Sequence, residues 1–169
     1  MSLPQNLPRR HLSVKAYRVV RKGRDPLSTE WNLKNGGRYN PPGEFPALYA
    51  SLRESTAAAE KARSERLRGI DPEQYPPGEW WAYELALDFE SVLDLTDSKV
   101  LANLAIGQET LLGEDRTRTQ QIAREARAAG FQALLVPSVA ARGEKNLVVF
   151  TDRPHAEPRV LTSRAIRLV

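Results

Sequence analysis

Three residue types in this chain stand where they could do chemistry: an arginine in a glycine turn, a glutamate on a helical face and a serine after an apolar strand. Gly36-Gly-Arg-Tyr-Asn-Pro-Pro-Gly43 is the most unusual string. Its glycines let the backbone approach a ligand or adopt positive φ, and its prolines stiffen the exit. Arg38 stands between them, with a guanidinium fork suited to a phosphate or a carboxylate; the plain alternative is a structural turn with an exposed arginine. At helical spacing Glu60 shares a face with Ala57, Ser64 and Leu67 rather than with the most charged stripe. One reading points it inward, where a carboxylate needs a partner or a job; the other is a solvated helix glutamate. Ser138 follows Pro137 and the apolar residues 133–136, at a strand end where sites often form, although a turn serine is as economical. It has no G-x-S-x-G elbow, and neither His11 nor His155 has a triad context, so serine hydrolysis is not expected.

Composition removes several other chemistries. With no cysteine and two histidines far apart in sequence, disulfides, thiolate metal sites and metal dependence are not expected. The lack of cysteine fits a reducing cytoplasm, the expected location. The apolar runs 133–136 and 147–150 fall well short of the roughly 20 residues that cross a bilayer. Pro4, Pro8, Arg9, Arg10 and His11 interrupt any apolar stretch near the start, so no secretory signal is expected. The net charge of +4 is uneven, because residues 1–24 hold seven basic side chains and no acidic one. That start would suit a nucleic-acid arm, but Val14, Tyr17, Val19 and Val20 interleave with the charges, which reads better as a strand with one wetted face.

A length of 169 residues with 41% hydrophobic residues predicts one domain, here 13–169 behind a flexible lead at 1–12. A strand is expected over 14–20, then a long polar connection at 25–43 whose glycines and prolines forbid regular structure through most of it. A short strand at 47–51 leads through a capping box, Ser51-Leu-Arg-Glu54, into a helix to about Arg68, ended by Gly69 and Pro72. Strands follow at 80–88 and 92–95, then a short helix capped by Asp97 and running through Ile106. A second capping box, Thr117-Arg-Thr-Gln120, opens a helix closing at Gly130, and strands at 133–136, 146–151 and 159–169 complete the chain. Strands before, between and after a few helices, without strict alternation, indicate an α+β domain.

In this order the pieces resemble the RES domain family, named for its arginine, glutamate and serine. The strings are Tyr17-Arg18-Val19, the 36–43 turn, Ala47-Leu-Tyr-Ala-Ser51, Ala57-Ala-Ala-Glu60, Val136-Pro-Ser138 and Lys145-Asn146-Leu147. The family often has tryptophan where Tyr39 stands and another within 100–113, and neither departure touches the arginine, glutamate or serine. The resemblance implies a fold similar to ADP-ribosyltransferases, with mixed β-sheets and a few flanking helices. It further implies the toxin component of a type II toxin–antitoxin system, which degrades NAD by cleaving the nicotinamide–ribose bond with phosphate or water as acceptor. NAD is then the substrate, and no cofactor is called for.

The implied roles suit the residue chemistry. Glu60 would stabilise the oxocarbenium-like charge of the breaking bond, or hold a ribose hydroxyl. Arg18 and Arg38 would hold the pyrophosphate, and Tyr49 would pack on the nicotinamide or ribose. Ser138 would position substrate by a hydrogen bond, with Asn146 bracing its loop. The implied partner is an Xre-like antitoxin whose C-terminal part plugs the site and through which nucleic acid is met only indirectly; a homo-oligomer is a further expectation. Two other readings stand beside this one: a protein ADP-ribosyltransferase, and a non-catalytic or nucleic-acid-binding module resting on the basic start.

Overall fold

Alternating apolar and charged residues carry the two longest strands of the computed structural model, which describes residues 2–169. β1 (Arg10–Arg21) pairs antiparallel with β3 (Trp80–Asp94) along almost its whole length, from Arg10 opposite Val92 to Arg21 opposite Trp80. The other strands are β2 (Leu48–Ser51), β4 (Ala133–Pro137), β5 (Lys145–Val149) and β6 (Arg159–Ile166). Together they form one mixed sheet in the order β1-β2-β5-β4-β3-β6, parallel only between β3 and β4. Because β1 also pairs β3, five strands close a ring and β6 stands outside it as an edge.

The short strands β4 and β5 read as unbroken apolar runs because both of their faces are covered. Leu134 and Val148 enter one core cluster with Phe45, Ile122 and Phe150, while Leu135 and Leu147 enter another with Leu85 and Phe89. The helices are α1 (Glu30–Asn35), α2 (Glu54–Leu67), α3 (Ser98–Asn103), α4 (Gln108–Leu112) and α5 (Thr117–Ala128), with a 3-10 turn at Pro72–Gln74. α2 lies against β1, β2 and β3, whereas α5 turns Ile122, Ala123 and Ala126 into the first cluster. The whole is the expected α+β arrangement.

Several local expectations need correction. The first strand begins at Arg10, and Leu3 and Leu7 are buried in the core, so much of the stretch read as a lead packs against the domain. The polar connection at 25–43 is irregular through most of its length, as expected, with only the short α1 inside it, whereas α4 occupies a stretch where no element is expected. The strands expected at 80–88 and 92–95 are one. The Gln132 side-chain carbonyl accepts from the Glu90 and Ser91 amides at 2.8 and 3.1 Å and carries the strand through the polar break. Neither capping box forms. Ser51 Oγ donates instead to Asn146 Oδ1 at 2.7 Å, and the Thr117 amide is taken by Asp115 Oδ1 at 2.9 Å. The Asp97 cap does form, accepting from the Lys99 and Val100 amides.

The basic start is largely paired within the fold. Arg10 meets Asp94, Lys15 meets Glu84, Arg21 meets Glu79, and Arg9 donates to Ser91 Oγ. This favours the strand over the nucleic-acid arm, since partnered cations offer less to a phosphate backbone. Among the described residues no helix is long and apolar enough to cross a membrane.

Candidate active site

A cavity of about 390 Å³ opens between β1, β2, α2 and the glycine turn. α2 starts three residues after β2 and packs against β1, β2 and β3, with one face turned to Asn146 of β5. Ala57, Glu60, Ser64 and Leu67 of that face line the cavity. Glu60 therefore takes the inward reading, and it is partnered. Ser138 Oγ donates to its Oε1 at 2.6 Å, Asn146 Nδ2 donates to the same oxygen at 2.8 Å, and the Ala140 amide does so at 3.4 Å. All three bonds go to Oε1. Oε2 accepts none among the described residues, so the carboxylate is oriented through one oxygen and free at the other.

The donors are themselves fixed. Asn146 lies opposite Ser51 on β2 and Val136 on β4. The Ser51 hydroxyl donates to Asn146 Oδ1, which sets the amide so that Nδ2 faces Glu60. The Ala141 amide donates to Ser138 Oγ at 3.1 Å, leaving that hydroxyl's proton for the carboxylate. Two expected roles change accordingly. Ser138 is only 4% exposed and is not part of the cavity wall, so it holds Glu60 rather than substrate. Asn146 does line the cavity, and it acts on the carboxylate directly rather than through the loop of Ser138.

The glycine turn is built around buried Asn40. Its Nδ2 donates to Asn32 O at 2.7 Å, and its Oδ1 accepts from Tyr49 Oη at 2.7 Å. Tyr49 Oη in turn accepts from the Tyr39 amide at 3.0 Å. Burial pushes the Tyr49 hydroxyl up to about 12, so it stays protonated and keeps this double role. Its ring lines the cavity as expected, but its polar end is committed to the turn. From the other side α5 grips the turn, with Thr119 Oγ1 donating to Arg38 O at 2.6 Å and Gln120 Nε2 to Gly37 O at 3.0 Å. Arg38 Nη1 donates to the carbonyls of Leu111, at 3.2 Å, and Gly113, which fixes the fork at the cavity wall.

Gly37 is required by this packing. A Cβ there would stand 2.5 Å from Tyr49 Oη and 2.8 Å from Asn40 Oδ1, two atoms already held by hydrogen bonds. Gly37→Ala is expected to cost about 1–3 kcal/mol, as overpacking of a filled interior does. For a domain of this size that lowers the melting temperature by roughly 2–10 °C, measurable by circular dichroism. A melting temperature equal to that of the parent would show that the turn gives way freely.

Among the described residues, Arg18, Arg38, Lys61, Arg63 and Arg116 line the cavity, and Glu60 is the only carboxylate beside them. Arg18 Nη1 is sealed from solvent with no hydrogen-bond partner, and burial pulls the guanidinium down to about 10. Burial also lowers Lys61, with Arg18 adding to the effect. Burial lowers Arg38, and Arg116 and Arg63 push it the same way. Unneutralised cations held in a cavity constitute a site for an anion. The sequence reading found two of the five. Lys61 and Arg63 were legible only as part of a charged helix, and Arg116 only as part of a polar loop.

The profile of the RES domain family matches residues 15–169. The chain is 37% identical over 129 residues to the probable NAD(+) phosphorylase Rv3189 of Mycobacterium tuberculosis, a match that covers 76% of this chain and 59% of that protein. It thus spans less than two thirds of that relative's length. It is 28% identical over 152 residues to the NAD(+) phosphorylase MbcT of Mycobacterium bovis, covering 90% of this chain and 80% of that one. The crystal structure of the M. tuberculosis MbcT–MbcA toxin–antitoxin complex is similar in fold, with a TM-score of 0.82 at 24% identity, covering 93% of this chain and 86% of that chain.

Proposed function

The chain belongs to the RES domain family, and on that premise we propose that it degrades NAD by cleaving the nicotinamide–ribose bond. The observation that carries this is Glu60, clamped through Oε1 by three donors and open at Oε2, in a cavity whose other charged side chains are all cationic. Cleavage of the glycosidic bond builds positive charge on the ribose, which a fixed carboxylate stabilises more than it stabilises neutral ribose. Arg18 and Arg38 hold the diphosphate, and the ring of Tyr49 packs on the nicotinamide or ribose. Ser138, Asn146 and Ser51 form the chain of hydrogen bonds that orients the carboxylate.

The acceptor in this reading is phosphate or water. The curated names of the relatives, NAD(+) phosphorylases, support phosphate. A toxin role in the cytoplasm, with an Xre-like antitoxin occupying the cavity, extends the same reading, supported by the toxin–antitoxin complex to which the fold is similar. Self-association is a separate proposal within it.

The test is incubation of the purified chain with NAD, with and without inorganic phosphate, following nicotinamide and the ribose product by chromatography. Nicotinamide release that depends on phosphate is the expected result. Equal release without phosphate makes water the acceptor, and no release under either condition overturns the NAD-cleaving reading.

A further inference from the structure

One end of the cavity is apolar and open, and none of the roles above uses it. Trp31 is 63% exposed and Leu67 is 66% exposed, and both line the same cavity as Glu60. Trp31 sits on α1, a helix that buries none of its residues. That helix is fastened by Asn32, whose Nδ2 donates to Ala47 O and whose carbonyl accepts from Asn40, and by the Gly43 amide, which donates to Leu33 O. The fastening leaves the indole without a core role. Arg68 lies 5.7 Å from the Trp31 ring centroid and is tied to Glu65 at 3.1 Å, so the ring has a cation against it.

The order of chemistries along α2 is what gives this rim a meaning. Glu60, Ser64 and Leu67 follow one helical face, so the carboxylate and the apolar rim are about 10 Å apart along the axis. Lys61 and Arg63 stand on α2 between those ends, and Arg18 of β1 is close enough to Lys61 for their charges to interact. Read from the inside outward, the cavity offers a carboxylate, then cations, then an exposed aromatic and a leucine. A dinucleotide presents its parts in the matching order: the reacting ribose, the diphosphate, then a flat base.

We infer that Trp31 and Leu67 form the subsite for the adenine base of the dinucleotide, an inference that rests on the NAD-cleaving reading above. The indole supplies a π-face for stacking, and Leu67 supplies an apolar edge. The cations fix the diphosphate but do not distinguish a dinucleotide from a simpler phosphate ester. Discrimination by size and base therefore comes from the rim.

The test uses two ligands that cannot lose nicotinamide, ADP-ribose and ribose 5-phosphate, titrated calorimetrically into the full chain and into Trp31→Ala and Trp31→Phe. The preference for ADP-ribose over ribose 5-phosphate is expected to fall about ten-fold or more in Trp31→Ala, in line with the loss of one base–aromatic stack. Trp31→Phe, which keeps a π-face, is expected to restore most of it. If the parent binds ADP-ribose and Trp31→Ala leaves the preference unchanged, the inference is overturned and the rim serves another occupant, such as a protein partner. Equal weakening of both ligands overturns it as well, since Trp31 would then shape the cavity as a whole. A parent that binds neither ligand and releases no nicotinamide from NAD refutes the NAD-cleaving reading itself, and the inference with it.

Discussion

Glu60→Gln will lower the rate of nicotinamide release by roughly 10²–10³-fold, the loss typical of removing one fixed electrostatic group from the charge that develops in a transition state. Folding will survive, because the three donors all meet Oε1 and the glutamine carbonyl can accept from Ser138 Oγ, Asn146 Nδ2 and the Ala140 amide in the same place. Binding will move the other way. The substitution removes the one negative side chain among five cations, so ADP-ribose should bind the variant at least as tightly as the parent. The combination of slower turnover, undiminished affinity and an unchanged melting temperature separates a catalytic carboxylate from a structural one. Turnover at the parental rate would remove Glu60 from the mechanism, and a melting temperature lower by about 10 °C would assign it to the fold.

Arg18→Met is expected to raise stability while destroying ligand binding. The guanidinium is buried on β1, its Nη1 has no partner among the described residues, and it is pulled down to about 10, below the ordinary arginine range, because burial disfavours the charge and the attraction of Asp25 offsets only part of that. A cation lowered in the folded state binds its proton more weakly there than in the unfolded chain, so stability rises as the pH climbs above about 10 toward the ordinary arginine range. At neutral pH, below both values, the full cost is present, about 1–3 kcal/mol. Methionine fills similar space without the charge, and the melting temperature should rise by roughly 2–10 °C. Affinity for ADP-ribose should fall about ten-fold or more, since a charge-assisted hydrogen bond to phosphate contributes about 1.5–3 kcal/mol. Thermal melts and calorimetry on one preparation check both. A variant less stable than the parent would show that Arg18 is part of the packing, and one that kept its affinity would take Arg18 out of the site.

Such a trade of stability for function is expected where a site holds unpaired charge before its ligand arrives. The glycine turn follows the same logic. Asn40, Tyr49, Thr119 and Gln120 spend their hydrogen bonds on holding the loop that carries Arg38 at the cavity wall. This also explains why two capping boxes read from the sequence do not form. Ser51 has a better use in orienting Asn146, and Gln120 has one in holding the Gly37 carbonyl. Local capping contributes about 1 kcal/mol, and a tertiary hydrogen bond that satisfies a buried group outweighs it.

The sequence by itself determined the α+β class, the strands that became β2, β4 and β5, the end of α2 at the Gly69 turn and the strings that carry the family resemblance. Each of these rests on local chemistry: short apolar runs, a glycine at φ 78°, and proline that cannot continue a helix. Glu60 was legible as an anomaly because its helical face is otherwise small or apolar. Only the tertiary structure decided what Glu60 faces, because its donors come from residues 78 to 86 positions away, across two strands that the sheet order brings beside α2. It also moved Ser138 behind the carboxylate, joined two expected strands through the side chain of Gln132, and gathered Lys61, Arg63 and Arg116 with the two expected arginines. The physical reason is the same throughout. Periodicity reports which face of an element is apolar, whereas a site depends on which elements meet, and in a ring closed by the non-consecutive pairings β1–β3 and β2–β5 that is set by contacts no local pattern encodes.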